Sequence, residues 1–176
     1  MSNNKSVWGW WFAMAEDDGR VLLPRGDGRE VRAGEVLSVP GPTVLCKRGL
    51  HASERAIDAL AYAPGVIVCR VRLSGDIKRE DDKIVGLERE VLWMADAGVA
   101  LRLFACDCAD AALSAERAAG REPDSRLWEA VRVARLYAIG QASEEERSAA
   151  GSAAESAQNK MLEERLSALD NSPRSN

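Results

Sequence analysis

The first half of the chain carries short apolar runs with the period of two that is typical of β-strands. The segment 66–73 is the clearest case, because Cys69, Val71 and Leu73 alternate with two arginines. Residues 7–15 form a dense aromatic block that also favours a strand. Further strands are predicted over residues 21–23, 35–39, 43–46, 49–51 and 84–93.

Glycines and prolines separate these runs and indicate turns, for example over residues 24–28. Ser53 is predicted to be the N-cap of a short helix that ends near Ala63. The charged segment 76–83 is predicted to be a loop. One alternative stays open, since Glu88-Arg89-Glu90 could begin a helix inside the strand predicted over 84–93.

The second half has the apolar spacing of helices. A helix is predicted over residues 99–119, and the next begins at Asp124 or Ser125 and ends at Gly140. The buried face of the first of these helices is predicted to comprise Leu101, Phe104, Cys108, Ala111, Ala112 and Ala115, and that of the second Leu127, Ala130, Val131, Ala134, Tyr137 and Ala138.

A capping box, Ser143 followed three residues later by Glu146, is predicted to begin a long alanine-rich helix. This helix should end near Leu169. Such a helix is marginal alone, so its small residues favour close packing on a neighbour or on a second copy of the chain.

These elements predict an α+β fold. We expect a small, mostly antiparallel sheet with one short helix, packed on a C-terminal region of about three helices. The boundaries that we expect are 7–95 for the β-rich domain and 96–169 for the helical region, with flexible tails at 1–6 and 170–176.

Composition restricts the partners and the compartment. The net charge is −4, which gives no electrostatic reason to expect nucleic acid. Arg126, Arg132 and Arg135 could form a local basic strip, but Glu129 lies among them. The sequence contains no apolar run long enough to span a membrane, and we expect no cleavable signal peptide. We therefore expect a protein of the host cell cytoplasm with its four cysteines reduced.

Residues 45–53, LCKRGLHAS, match a C-x-x-G-L-H-x-S pattern. This stretch resembles the signature of a phage-borne domain of unknown function. The resemblance extends over about residues 7–95 and includes a lysine segment, Asp82-Lys83-Ile84-Val85. It implies a phage or prophage origin.

Residues 101–109, LRLFACDCA, together with residues 129–140, resemble a helical module of putative immunity proteins. The usual relatives carry longer arrays of alanine-, tryptophan- and arginine-rich helices. This resemblance implies a protein partner.

The segment Gly49 to Ser53, followed by a helix with Tyr62, is also similar to the core of ADP-ribosyltransferases. Those enzymes need an early Arg or His and a late Glu. The single histidine, His51, lies in the wrong segment for the early position. Glu88 and Glu90 could serve as late carboxylates, although nothing in their context marks them.

Five residues of the first half are candidate functional residues: Cys46, Gly49, His51, Ser53 and Tyr62. Cys46 and His51 could bind zinc or form a nucleophile–base pair. The alternative is that the cysteines are small core residues and that His51 makes a structural hydrogen bond. We expect no metal, no cofactor and no complete catalytic set.

The candidate partner-binding residues are Trp8, Trp10, Trp11, Arg132 and Arg135. On a strand, Trp8 and Trp10 share one face and Trp11 takes the other, so one face should lie outside the main core unless the helices cover it. We favour covering by the helices, whereas an exposed aromatic patch would instead indicate a protein partner.

The expected function is that of a non-enzymatic phage or prophage accessory protein that binds another protein and inhibits a host defence system or a toxin. An ADP-ribosyltransferase-like enzyme, or its inactive dinucleotide-binding derivative, is the first alternative. A virion structural or assembly component, oligomeric through the alanine-rich helix, is the second.

Overall fold

The computed structural model of the chain describes residues 6–23 and 29–170. The tails predicted at 1–6 and 170–176 and the turn predicted at 24–28 lie outside the described residues, apart from residues 6 and 170. The chain divides into two compact units, residues 1–98 and 99–176. Antiparallel strands build the first unit and helices build the second, which confirms the α+β class.

Seven strands and one short helix make up the described part of the first unit. Their bounds are β1 Val7–Ala13, β2 Val36–Ser38, β3 Leu50–Ala52, α1 Ala56–Ala61, β4 Ile67–Ser74, β5 Lys78–Arg79, β6 Ile84–Gly86 and β7 Glu88–Asp96. Residues 21–23 and 43–46, predicted as strands, form isolated bridges instead.

A four-stranded antiparallel sheet has the order β1-β4-β7-β2. The alternation predicted for β4 is confirmed, because Cys69, Val71 and Leu73 are completely buried whereas Arg72 is exposed. The register shifts between Arg70 and Val71 at a β-bulge. The inward side chains form the core together with residues of the second sheet, among them Leu50, Ala52 and Ile84.

The second sheet has three strands in the order β3-β6-β5. Two predictions are wrong here. Residues 84–93 are not one strand, because the chain leaves β6 at Leu87 and enters β7 in the other sheet. The segment 76–83 is not only a loop, because Lys78 and Arg79 pair with Val85 and Ile84.

The helix predicted from Ser53 begins three residues later, and its N-cap is Arg55, which makes no side-chain capping bond. Ser53 instead pairs with Trp10 in an antiparallel bridge: the Ser53 N–H donates to the Trp10 carbonyl at 2.9 Å and its carbonyl accepts from the Trp10 N–H at 2.7 Å. A long-range backbone pair has replaced a local cap.

The second unit consists of α2, which begins at Gly98 and runs to Ala118, α3 Ser125–Ala138 and α4 Glu144–Asp170. Asp124 is the N-cap of α3, and its carboxylate accepts from the Arg126 N–H. The predicted capping box is confirmed, since Ser143 Oγ accepts from the Glu146 N–H at 3.1 Å and a Glu146 carboxylate oxygen accepts from the Ser143 N–H at 2.7 Å. None of the described helices has the length and hydropathy of a membrane-spanning segment.

The predicted buried face of α2 is mostly wrong. Cys106 is buried, whereas Phe104 is 46% exposed and Cys108 is exposed. An alanine-rich helix presents weak apolar contrast, so the spacing alone did not select the correct face.

The predicted buried face of α3 is largely confirmed. Ala138 is buried, and the other predicted residues are half-buried, namely Leu127, Ala130, Val131, Ala134 and Tyr137. Val133, which the spacing did not predict, is buried as well.

Candidate functional site

A pocket of about 460 Å³ lies beside the edge strand β1, where β3 and α1 meet it. Four of the five candidate functional residues line it, and so do two of the three tryptophans: Cys46, His51, Ser53, Tyr62, Trp10 and Trp11. Its volume lies within the range of pockets that hold small molecules. The pocket therefore brings together residues that are up to 73 positions apart, from Trp10 to Lys83.

His51 is held in its neutral form. Strand β3 places it opposite Val85, and its Nε2 accepts a hydrogen bond from the Cys46 N–H at 3.1 Å. Burial lowers the pKa of His51, while a backbone hydrogen bond with Gly49 opposes this effect. The neutral imidazole thus bonds to the backbone of Cys46 and of Gly49, and these two bonds stabilise the turn that carries Cys46.

Cys46 projects an exposed free thiol from the turn between Val44 and Arg48. Its φ of 59° lies in the left-handed region, which is uncommon for a residue with a side chain. The bond from its N–H to His51 stabilises this conformation.

Gly49 has a conformational role. Its φ is +127°, and a Cβ at this position would overlap Val85 Cγ2. Gly49 is not among the residues that line the pocket.

Ser53 is 2% exposed and lines the pocket. Both of its backbone groups bond to Trp10. Its hydroxyl has no hydrogen-bond partner among the described residues. A buried hydroxyl usually has a partner, so this oxygen is available to a group that enters the pocket.

Tyr62, at the end of α1, donates its hydroxyl proton to the Asp82 carboxylate. This bond raises the pKa of Tyr62 and lowers the pKa of Asp82. The ring lies 5.5 Å from the ammonium of Lys83, which also lines the pocket.

Lys83 was not among the predicted site residues. Its Nζ lies 3.1 Å from a Glu80 carboxylate oxygen and also contacts the Cys46 thiol, and these bonds hold its pKa above the usual range. The signal that could have found it is the Asp82-Lys83-Ile84-Val85 segment of the resemblance.

Arg89 is a second residue near the site that the sequence analysis did not select. It does not line the pocket, but it contacts two residues that do, Trp11 and His51. It is 2% exposed, and Nη1 donates to the His51 carbonyl at 2.9 Å. Its guanidinium carbon lies 3.7 Å from the centre of the Trp11 ring. Nε and Nη2 have no partner in the described part of the chain, and burial lowers the pKa of Arg89 to about 10.

Cys46 and His51 lie together but do not make a metal site by themselves. Within residues 6–23 and 29–170 no group of three or more His, Cys, Asp or Glu side chains could hold a metal ion. The hydrogen bond from Cys46 N–H also occupies His51 Nε2, which is a usual zinc ligand.

A second feature lies on the outer face of the four-stranded sheet. Trp8 is 52% and Trp93 is 44% exposed, and the Trp10 ring packs edge-on against Trp93 at 5.9 Å. The Arg70 guanidinium lies 4.7 Å from the centre of the Trp10 ring and 5.6 Å from that of Trp8. We call these four residues the tryptophan–arginine face. The covering of this face by the helices stays a prediction.

Trp11 points to the opposite side of β1, where it packs against the core. The two arginines predicted to bind a partner both lie on α3 and both form ion pairs. Arg132 lies 2.6 Å from Glu129, and Arg135 joins Asp107, at 2.7 Å, and Asp110 of α2. Arg135 thus connects α3 to α2.

Residues 28–101 match the family described as a domain of unknown function, DUF7666. The matched range contains Cys46, Gly49, His51, Ser53 and Tyr62, whereas β1 and most of the helical unit lie outside it. The expectation of a domain of unknown function is thereby confirmed for this range. No curated protein and no solved structure matches the chain.

Proposed function

We propose that this chain is a non-enzymatic accessory protein of phage or prophage origin that binds another protein in the host cell cytoplasm and inhibits a defence system or a toxin. The observation that carries the proposal is the tryptophan–arginine face. Tryptophan and arginine are enriched among the residues that dominate binding energy in protein interfaces. Two half-exposed tryptophans that flank one arginine are consistent with such a contact.

The state of the pocket supports the non-enzymatic part of the proposal. A general base needs a free acceptor within reach of its substrate. His51 Nε2 already accepts from the Cys46 N–H, and burial lowers the pKa of His51, so the imidazole acts as a structural group.

The test compares tagged wild-type protein with the double variant Trp8→Ser/Trp93→Ser in host cells. The matched control is Leu162→Ser/Leu166→Ser, which removes two apolar side chains of similar exposure from α4. We expect one dominant host protein with the wild type and the control, and its loss with the tryptophan variant. Equal capture by all three proteins, or capture of nothing, contradicts the proposal.

An ADP-ribosyltransferase-like site, or an inactive derivative that binds a dinucleotide, is the second candidate. Its support is that His51, Ser53 and Tyr62 line one pocket, with the Glu80 carboxylate 3.1 Å from the lining residue Lys83. Calorimetric titration with nicotinamide adenine dinucleotide, followed by an assay for released nicotinamide, tests it. Binding without turnover indicates the inactive derivative, and the absence of binding removes this candidate.

Self-association through α4, as a virion component would need, has one supporting observation. Met161, Leu162 and Leu166 remain 37%, 54% and 55% exposed near the C-terminal end of this helix. Leu162 and Leu166 are four residues apart and share one face. Light scattering should detect a defined oligomer that Leu162→Glu/Leu166→Glu dissociates, and a monomer at all concentrations contradicts this candidate.

A further inference from the structure

Cys46 differs from the other three cysteines in its surroundings. Cys69 and Cys106 are buried, and burial raises the pKa of Cys69 to about 11. Cys108 is exposed on α2. Cys46 is exposed at the pocket and is fixed there by its left-handed backbone and its bond to His51.

One cation, the Lys83 ammonium, lies beside the Cys46 thiol. The Lys83 ammonium makes a hydrogen-bonding contact with it, and the Glu80 carboxylate, 3.1 Å from Lys83 Nζ, holds the ammonium in place. Lys47 and Arg48 follow in the same turn and are exposed. Lys83 lines the pocket and gives this side of it a positive charge that suits an anionic reaction partner.

The pocket beside Cys46 offers unused polar groups. Ser53 is 2% exposed, lines the pocket and leaves its hydroxyl without a partner among the described residues. Trp10 bonds to Ser53 through both backbone groups, so the N–H and C=O of Phe12, two residues further along, point to the same edge. β1 is an end strand of its sheet, and Phe12 lines the pocket, so an amide group could pair with this edge.

We propose that Cys46 is a thiol-modification site that forms a mixed disulfide with a small, anionic, amide-bearing thiol whose body occupies the pocket. The Cys46 thiolate attacks one sulfur of the corresponding symmetrical disulfide. The old S–S bond breaks as the new one forms, one half of the disulfide leaves as a thiolate, and the proton lost by Cys46 passes to solvent. The disulfide is the oxidant and is itself reduced. This site shares only Trp10 with the tryptophan–arginine face, and the tests of the two proposals change different residues, so either proposal can fail without the other.

The test uses the full chain, in which Cys46 and Cys108 are both exposed and compete within one molecule. The probes are oxidised glutathione, which is anionic and carries amides, and bis(2-hydroxyethyl) disulfide, which has neither property. Peptide mapping by mass spectrometry gives the rate at each cysteine. With oxidised glutathione we expect Cys46 to react at least about tenfold faster than Cys108, and with the neutral disulfide we expect the ratio to fall several-fold. Equal rates at the two cysteines, or the same ratio with both probes, overturn the proposal.

Three variants separate the contributions of the pocket from general reactivity. Lys83→Met should slow the reaction of Cys46 with oxidised glutathione, whereas Lys160→Met, which changes an exposed lysine of α4, should not. Ser53→Ala should reduce the preference for oxidised glutathione over the neutral disulfide. Cys69 is buried in the same unit as the pocket, so its protection from reaction in each variant reports whether that unit is intact. No change with Lys83→Met in a chain that still protects Cys69 contradicts the role given to Lys83.

Discussion

Arg89 is a charged residue in the core, where burial of a charge lowers the free energy of unfolding unless other contacts offset it. It stands between Glu88 and Glu90, and such a triplet is typical of a solvated strand edge. The alternation of β7 nevertheless directs it inward, opposite Leu73, where it is 2% exposed. Its compensation comes from the Trp11 ring and the His51 carbonyl, two groups contributed by distant parts of the chain. Sequence pattern alone could not indicate either contact.

Replacement of Arg89 should show how far its contacts with Trp11 and His51 offset the free-energy cost of burying its charge. We expect Arg89→Met to lower the free energy of unfolding by about 1–2 kcal/mol, because the His51 carbonyl loses its donor while the penalty for a buried charge disappears. Arg89→Lys should lower it further, by about 3 kcal/mol or more, because the ammonium keeps the penalty and loses the planar stacking on Trp11.

Urea unfolding of both variants measures these differences. The matched control is Arg72→Met on the outer face of the sheet, where the ion pair with Glu90 is partly exposed and the expected change is about 0–1 kcal/mol. A lysine variant as stable as the methionine variant would show that stacking on Trp11 contributes nothing.

His51 should make stability depend on pH below neutrality. Its folded pKa lies below the unfolded value of 6.5, so the unfolded chain takes up the proton first as the pH falls. The contribution of His51 is therefore fully present above pH 6.5 and is lost as the pH falls from 6.5 toward the folded pKa. His51 is the only histidine of the chain, so no other imidazole contributes.

The measurement is the free energy of unfolding of the wild type and of His51→Gln at several values between pH 7.5 and pH 5. The carboxylates are the same in both proteins, so the difference isolates the imidazole. We expect the wild type to lose more stability than the variant over this range. Parallel pH curves would show that protonation of His51 does not disturb the Cys46 turn.

At the scale of the element, the sequence predicted the features that depend on interactions between residues close together in the chain. The alternation of β4 and the capping box of α4 were read correctly, because both depend on neighbouring residues. The failures involve partners far away in the chain. The bridge to Trp10 takes Ser53 out of its predicted cap, and pairing in two different sheets divides residues 84–96 at Leu87.

Two glycines in different elements should respond in opposite ways to the same substitution. In Gly86→Ala the new Cβ would lie 2.9 Å from the Ser74 carbonyl oxygen and 3.2 Å from Leu73 Cβ, so we expect a loss of about 1–3 kcal/mol. Gly151 lies within α4, and a Cβ there meets nothing within 4 Å. Gly151→Ala should stabilise the protein by up to about 1 kcal/mol, because alanine is the better helix former.

Thermal unfolding of both variants gives the sign of each change. The prediction fails for the sheets if Gly86→Ala is neutral, and for α4 if Gly151→Ala is destabilising.

At the scale of the whole molecule, the sequence predicted the class of fold and not the pocket. The division into strands first and helices afterwards follows from periodicity, which each segment carries by itself. The pocket depends on the meeting of β1, β3, α1 and Lys83, four parts of the chain that no local pattern connects. Cys46, His51, Ser53 and Tyr62 were found because one short segment and the following helix contain them all.

The distribution of charge predicts that the protein does not bind nucleic acid. The net charge is −4, and the basic strip on α3 is neutralised residue by residue, with Arg126 at 2.8 Å from Asp124 and Arg132 at 2.6 Å from Glu129. Fluorescence anisotropy with a labelled DNA duplex in low salt should therefore detect no binding. Binding that weakens as salt is added would contradict this expectation.

The division of the chain at Leu87 fixes the number of residues between Val85 and Arg89, because both contact His51 from different sheets. Val85 is paired with His51 in one sheet, and Arg89, four positions later in the other sheet, donates to the carbonyl of the same histidine. Because side chains on a strand alternate with a period of two, one residue inserted or deleted between them would turn either Val85 or Arg89 away from its place. The length of this stretch is therefore as constrained as its side chains, and any lengthening of the domain must occur in the connections outside it.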